Sequence, residues 1–309
     1  MITRLSYGLG LFIGSLVGGW WLGRAAVLSD ARAGALIRLT IRWLSPLTLA
    51  LSFWQLHVDR GLLLLPAAGM LVAVLSLLPA GLYAASAGLS RPQAGSFLTC
   101  AMFSNLGFLG AFIGFAMFGE PAYALAQVHL LFFSPAFYVI GFGLASRLGS
   151  RSTSSPAGST SGGDELRFFP LIGLLAGLGL HLARIPRPPL FEALNHFLIP
   201  ATTILYLMAI GSQLVIEPWR GSSARPHLVM GLIKFVYSPL VGWLLAGLFG
   251  LTGLPRFIVL LQSAMPVAIS PLMLPLLFGI DRKLTTSLWL STTLLAIAWL
   301  PLYILLLRA

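Results

Sequence analysis

Ten long stretches of this chain carry no ionised side chain, and that repetition limits its possible folds more than any other feature. They cover residues 5–23, 43–58, 61–90, 92–119, 121–146, 168–183, 193–216, 235–255, 257–280 and 284–307, here called runs 1 to 10. A helix that crosses a bilayer needs roughly 17–25 apolar residues. Runs 2 and 6 are the shortest, and flanking Arg side chains can snorkel to the interface. Any one run could be a buried core helix. Ten in succession could not, because only 9% of the 309 residues are charged and 58% are hydrophobic. A soluble protein carries about 25% charged residues to cover its core. The chain is expected to be an all-α polytopic membrane protein with ten transmembrane helices.

Several function classes drop out at this point. The net charge is +11, but the basic residues are scattered singly and form no stripe that nucleic acid would need. Cys100 stands alone, so there is no disulfide framework or paired-cysteine metal site. The sequence has no HExxH, no GxSxG and no intramembrane acid pair, so an enzyme is not expected, and no metal or cofactor is either. No repeated filter loop suggests a channel. Run 1 has no convincing cleavage pattern and reads as a retained first helix.

The acidic residues are Asp30, Asp59, Glu120, Asp164, Glu165, Glu192, Glu217 and Asp281, and none falls inside a run. This argues against a proton relay built on carboxylates. Sodium coupling through carbonyls and hydroxyls, a histidine relay, or uniport driven by the membrane potential remain. Basic residues are twice as numerous in the loops of one side as of the other. The positive-inside rule then puts both termini outside. Trp20, Trp21, Trp43, Trp54, Trp219 and Tyr303 lie near run ends and read as interfacial anchors.

Between runs 5 and 6 lies a flexible, Ser/Gly-rich segment from Ser146 to Arg167. The two sides of it echo one another at a spacing of about 160 residues. Pro46 in run 2 matches Pro200 in run 7, and Pro79 with Gly88 matches Pro239 with Gly250. Ser104, followed by Phe118-Gly119, matches Ser263, followed by Phe278-Gly279. The expected organisation is a five-helix repeat over 1–146, a cytoplasmic linker over 147–167 and a second five-helix repeat over 168–309. An odd number of helices per repeat makes the second enter the membrane from the opposite face, an inverted-topology repeat.

Runs 4 and 9 contain helix breakers. Asn105, Gly107 and Gly110 lie half-way along run 4, and Pro266, Pro271 and Pro275 lie along run 9. Proline removes a backbone donor, and freed backbone groups cannot face lipid, so they must line a cavity or meet protein. Matched breaks in inverted halves point to a midplane binding site, with NH groups offered to an anion and carbonyls to a cation. Candidate substrate contacts are Asn105, Gly107, Gly110, Gln262, Ser263, Pro266 and Ser270, with Thr203 and Gln213 from run 7. Gly107, Gly110, Pro266, Pro271 and Pro275 are the candidate hinges. Gly107 and Gly110 have a plainer reading as packing residues, and Thr202, Thr203, Tyr206 and Gln213 one as helix hydroxyls and amides bonded locally. Coupling candidates are His129, Gln127 and Lys234. Packing explains the first two without a function, and snorkelling the third.

These motifs carry a resemblance. Asn105-Leu-Gly-Phe-Leu-Gly110 followed by Phe118-Gly119-Glu120, and Met265-Pro-Val-Ala-Ile-Ser270 followed by Phe278-Gly279, resemble the broken-helix motifs of the auxin efflux carrier family. Leu44-Ser-Pro46-Leu, and Lys234 ahead of Ser238-Pro239-Leu, resemble its second and eighth helices. The resemblance implies ten helices in two inverted repeats, as in bile-acid sodium symporters and sodium/proton antiporters. Helices 4 and 9 would cross at their breaks, with helices 1, 2, 6 and 7 as a panel. It further implies an elevator-type permease for a small organic anion in a bacterial inner membrane, with the lipid bilayer, the anion and Na+ or H+ as partners, and a homodimeric assembly. The alternatives are a sodium-coupled symporter of the bile-acid type and a sensor that keeps the fold without transport. The chain departs from the family pattern at Leu106, where Thr is common, at Phe112, where Pro is common, and at Ser270-Pro271, where Asn is common.

Overall fold

The computed structural model describes residues 2–56, 60–150, 169–214 and 224–307. Most of the Ser146–Arg167 linker lies outside them, as do Asp59, Asp164, Glu165, Glu217 and Trp219. Within them the chain forms α1 (Thr3–Arg24), α2 (Asp30–Trp54), α3 (Leu62–Ser86), α4 (Arg91–Met102), α5 (Leu106–Phe118) and α6 (Glu120–Leu148). There follow α7 (Phe169–Leu182), α8 (Pro189–Ser212), α9 (Ala224–Leu248), α10 (Gly253–Ser263), α11 (Leu274–Phe278) and α12 (Arg282–Leu306). Seven of these, α1, α2, α3, α6, α8, α9 and α12, are long and apolar enough to cross a membrane. The protein is thus an all-α polytopic membrane protein. Its surface agrees, since Leu63, Leu82, Val139, Leu190 and Leu248 are each at least 74% exposed, a pattern that water would penalise and lipid does not.

The remaining runs depart from single long helices. Run 4 is two helices, α4 and α5, and run 9 is α10 and α11. Run 6 supplies the shorter α7. Run 2, by contrast, lies within α2, one of the seven, which starts at Asp30 and carries Arg32, Arg38 and Arg42. Proline is accommodated inside α2 and α9 by a widened turn. Pro46 and Pro239 cannot donate, and just before them the N–H groups of Ser45 and Ser238 bond to Thr40 O and Ile233 O, five residues back. Pro79 frees the carbonyl of Leu75, which accepts the Tyr237 hydroxyl at 3.2 Å.

Two compact units emerge, and each draws on both halves of the chain. The first holds α1, α2, α7 and α8, together with Ala111–Ala124. Its helices approach closely through small residues. A Cβ on Gly19 would collide with Met208 O, and one on Gly173 with Pro46 O. The second unit holds α3, α4, α9, α10, α11 and α12, the start of α5 up to Gly110, and α6 from Leu125. Phe103, Phe137, Leu274 and Phe278 form part of its core.

Gly119 and Gly279 end α5 and α11 in the same way. Both take the left-handed conformation, with φ of +75° and +71°. Each N–H bonds the carbonyl four residues back, at 2.7 Å for Gly119 and 3.0 Å for Gly279. Glycine suits this helix-ending position because it has no Cβ to clash. Tyr303 corrects its expectation as an interfacial anchor: it is buried, and its hydroxyl donates to Leu260 O at 3.2 Å.

Candidate functional site

The breaks in runs 4 and 9 meet inside the second unit. After α4 ends at Met102, residues 103–105 are extended. After α10 ends at Ser263, residues 264–269 are irregular. The two stretches pair antiparallel through a bridge between Ser104 and Val267. Asn105 N–H donates to Pro266 O at 2.8 Å, and Ala268 N–H donates to Phe103 O at 2.9 Å. Val267 N–H donates to Thr292 Oγ1 of α12 at 3.2 Å. The sequence suggested that NH groups here would be free for an anion. Those of Asn105, Val267 and Ala268 are instead taken by protein partners, because an unpaired buried N–H would cost about 1–3 kcal/mol.

The prolines need a second correction. Pro271 and Pro275 were expected to strip donors from a continuing helix. Both instead stand in first turns, of the 3-10 segment Ser270–Met273 and of α11. A missing N–H does no harm there. Pro266 lies in the irregular stretch and contributes its carbonyl to the pairing.

Lys234 overturns its snorkelling reading. It sits in the widened turn of α9, fully buried, with 0% of its surface exposed. Its ammonium donates to Ala101 O at 2.7 Å and to Ser104 Oγ at 2.8 Å. Ala101 is in the last turn of α4, where helix dipoles concentrate negative charge. Burying an ammonium costs several kcal/mol. Two charge-assisted hydrogen bonds, each about 1.5–3 kcal/mol, and the helix terminus offset that cost. Among the described residues Lys234 has no carboxylate partner.

Polar side chains stay unsatisfied around this crossing. Asn105 is 3% exposed with Nδ2 unpartnered, and Gln262 is 1% exposed with both amide atoms unpartnered. Ser270 Oγ is also buried without a partner. Ser263 differs, since its hydroxyl donates to Leu260 O at 2.8 Å. A Cβ on Gly110 would collide with Gln262 Oε1, so Gly110 is glycine for packing. One on Gly107 would meet only Leu130 Cδ2, at 3.8 Å, so packing does not explain that residue.

His129 is 2% exposed, with Nδ1 unpartnered. It borders a cavity in the second unit together with Ser76, Ser104, Leu106 and Gln262. The space open to the centre of a water is about 30 Å³. That is room for ordered water, which needs at least about 10–15 Å³. Gln127 is half-buried and does not border the cavity. Thr203 and Gln213 belong to the first unit. Thr203 donates to Ile199 O at 2.9 Å, the local bond that membrane helices commonly make, and Gln213 is exposed at the end of α8.

Three polar features escaped sequence reading. Thr292 looked like one of many hydroxyls in run 10, and Ser104 marked only the repeat. The third lies in the first unit. Arg187, apparently a loop residue, has a side chain only 2% exposed. It donates to Glu120 Oε2 at 2.7 Å and to Leu51 O at 2.9 Å. His196 Nε2 stands 4.0 Å from Glu120 Oε1. The one hint was Glu120 directly after the helix-ending Gly119.

Known proteins give matching indications. Residues 163–304 match a family described as membrane transport protein. An uncharacterised transporter of Methanocaldococcus jannaschii is 28% identical over 211 residues, 66% of this chain and 66% of that protein, so the match spans just under two thirds of each. An uncharacterised transporter of Methanothermobacter thermautotrophicus is 26% identical over 287 residues, 92% of both chains.

Proposed function

We propose that this chain, whose residues 163–304 match the membrane transport protein family, is a member of it and a secondary carrier that moves a small organic anion by elevator-type alternating access. The observation that carries the reading is the pairing of two interrupted helices in one unit, with a buried ammonium at their crossing. Interrupted helices that meet at a midplane are how carriers of this kind hold a charged solute. The free groups fit an anion: Asn105 Nδ2 and Gln262 Nε2 are donors without acceptors, and Lys234 supplies positive charge. Their pairing is antiparallel, as two inverted repeats would require. Ten spans in a five-plus-five arrangement, over 1–146 and 168–309 with the 147–167 linker, belong to this reading. Homodimerisation, an inner-membrane setting and termini outside follow the auxin efflux carrier resemblance.

The sodium-coupled alternative is disfavoured by one contact. Lys234 already satisfies Ala101 O and Ser104 Oγ, the kind of oxygens a bound sodium ion would use.

The test is flux in proteoliposomes loaded with labelled mono- and dicarboxylates, with sodium and pH gradients imposed separately. Asn105→Ala is expected to slow flux by about tenfold or more, the loss of one hydrogen bond to a charged group. Unchanged flux in that variant would remove the proposed site. No flux of any anion in the unaltered protein would favour the sensor that retains the fold.

A further inference from the structure

The cavity beside the crossing holds a second feature, His129, that anion binding does not use, next to Gln262, of which the anion takes only Nε2. His129 presents an unpartnered Nδ1, and Gln262 an unpartnered Oε1 and Nε2, and both residues are at least nine-tenths buried. Groups of that kind are rarely left dry, and the cavity of about 30 Å³ has room for water. Ser104 shares the cavity. Its oxygen accepts from Lys234, so its own O–H is free to point at those waters. Ser76 faces the same space but is already bonded to Val72 O and Ser238 Oγ.

We infer that His129, with Gln262 and the cavity waters, is a proton site, and that one proton is carried with each anion. This rests on the carrier reading. A metal cation would need several oxygen ligands, and of the side-chain oxygens on the cavity those of Ser76 and Ser104 are already bonded. A proton needs only one lone pair. It passes from a hydronium through the cavity waters to His129 Nδ1: an O–H bond breaks, an N–H bond forms, and water is left behind. On the far side the same bond breaks and the proton returns to water. Gln262 Oε1 can accept from those waters and Nε2 can donate to them, which keeps the chain of hydrogen bonds continuous.

The charged and titratable surroundings set the coupling. From α9, Lys234 stands behind Ser104. From α4, Cys100 is buried one residue before Ala101, whose carbonyl accepts from Lys234. The cavity residues contributed by α3 and α10 carry no titratable group, and no acidic residue borders the cavity. Protonated His129 adds a positive charge to the cavity that Ser104, the partner of Lys234, also lines, and an anion at the crossing favours that charge. Linkage is reciprocal: if the anion favours the proton, the proton favours the anion by the same factor. Anion affinity should then rise by about tenfold for each unit of falling pH while one proton is taken up.

The experiment uses the full chain in proteoliposomes containing the pH dye pyranine, with the membrane potential clamped by valinomycin and potassium. The probes are labelled malonate, malate and indole-3-acetate. Exchange with no net gradient and proton movement under a gradient are read in the same vesicles. An unaltered protein that exchanges a probe is expected to move protons with it. His129→Gln is expected to lose the proton movement and the pH dependence of affinity. Gln262→Leu, a second variant, is expected to slow the proton movement. Anion flux without proton movement in the unaltered protein overturns the proton site and leaves the carrier reading intact. The proton site is equally overturned if His129→Gln moves protons as before. Absence of exchange for every probe in the unaltered protein overturns the carrier reading, and the proton site with it.

Discussion

Arg187 in the first unit and Lys234 in the second are both buried cations, and the two are handled in opposite ways. In the first unit Arg187 is neutralised by Glu120 at 2.7 Å. In the second, Lys234 meets a carbonyl and a hydroxyl, with no carboxylate partner among the described residues. An ion pair removes the charge and leaves a structural tie. A helix terminus only steadies the charge and leaves it available to an anion. Under the carrier reading proposed above, Arg187 holds its unit together and Lys234 serves the solute.

That contrast can be broken by removing one partner from each. The largest loss of stability is expected for Glu120→Gln, which strands a buried guanidinium, at about 3–5 kcal/mol. Thermal unfolding in detergent would measure it. The double variant Glu120→Gln with Arg187→Met should recover much of the loss, and a double variant no more stable than the single one would refute the tie. Lys234→Met should reverse the pattern. Stability should fall by only about 1–3 kcal/mol, as Ala101 O and Ser104 lose a donor. Flux should fall by at least about tenfold, the effect of one charge-assisted bond. Equal losses of stability and flux in both variants would erase the distinction.

Smaller changes sharpen the second unit's side of it. Thr292→Val removes the acceptor for Val267 N–H and is expected to cost about 1–3 kcal/mol, read in the same melts. Gly110→Ala should cost about 1–3 kcal/mol, because the new methyl meets Gln262. Gly107→Ala, which has room, should stay within about 0.5 kcal/mol. If Gly107→Ala nevertheless lowers flux, residue 107 acts on the solute or the motion and not on packing.

Much of this was readable in the chain. The break after Ser263 appears where proline interrupts an apolar run, because proline acts on its own backbone, whereas the run-4 break falls at residues 103–105, just ahead of the glycines, which lie in the first turns of α5. Pro271 and Pro275 were misread, since a proline's effect depends on where a helix starts, and the irregular stretch ahead of them resets that start. Lys234 was misread for a different reason. A lone lysine in an apolar run can reach the interface or turn inward, and only its neighbours decide which. Arg187 looked like any loop arginine until the fold enclosed it.

By itself the sequence determined the class: helices in a membrane, interrupted twice, with acidic groups kept outside the apolar runs. Those are properties of neighbouring residues, set by composition and backbone chemistry within a few turns. Only the tertiary structure decided which groups meet. Lys234 finds Ala101, Arg187 finds Glu120 and Val267 finds Thr292 through packing between separate helices and loops. The physical reason is burial. Once water is excluded, each polar group must find a partner inside the protein, and which partners are within reach depends on how the segments pack.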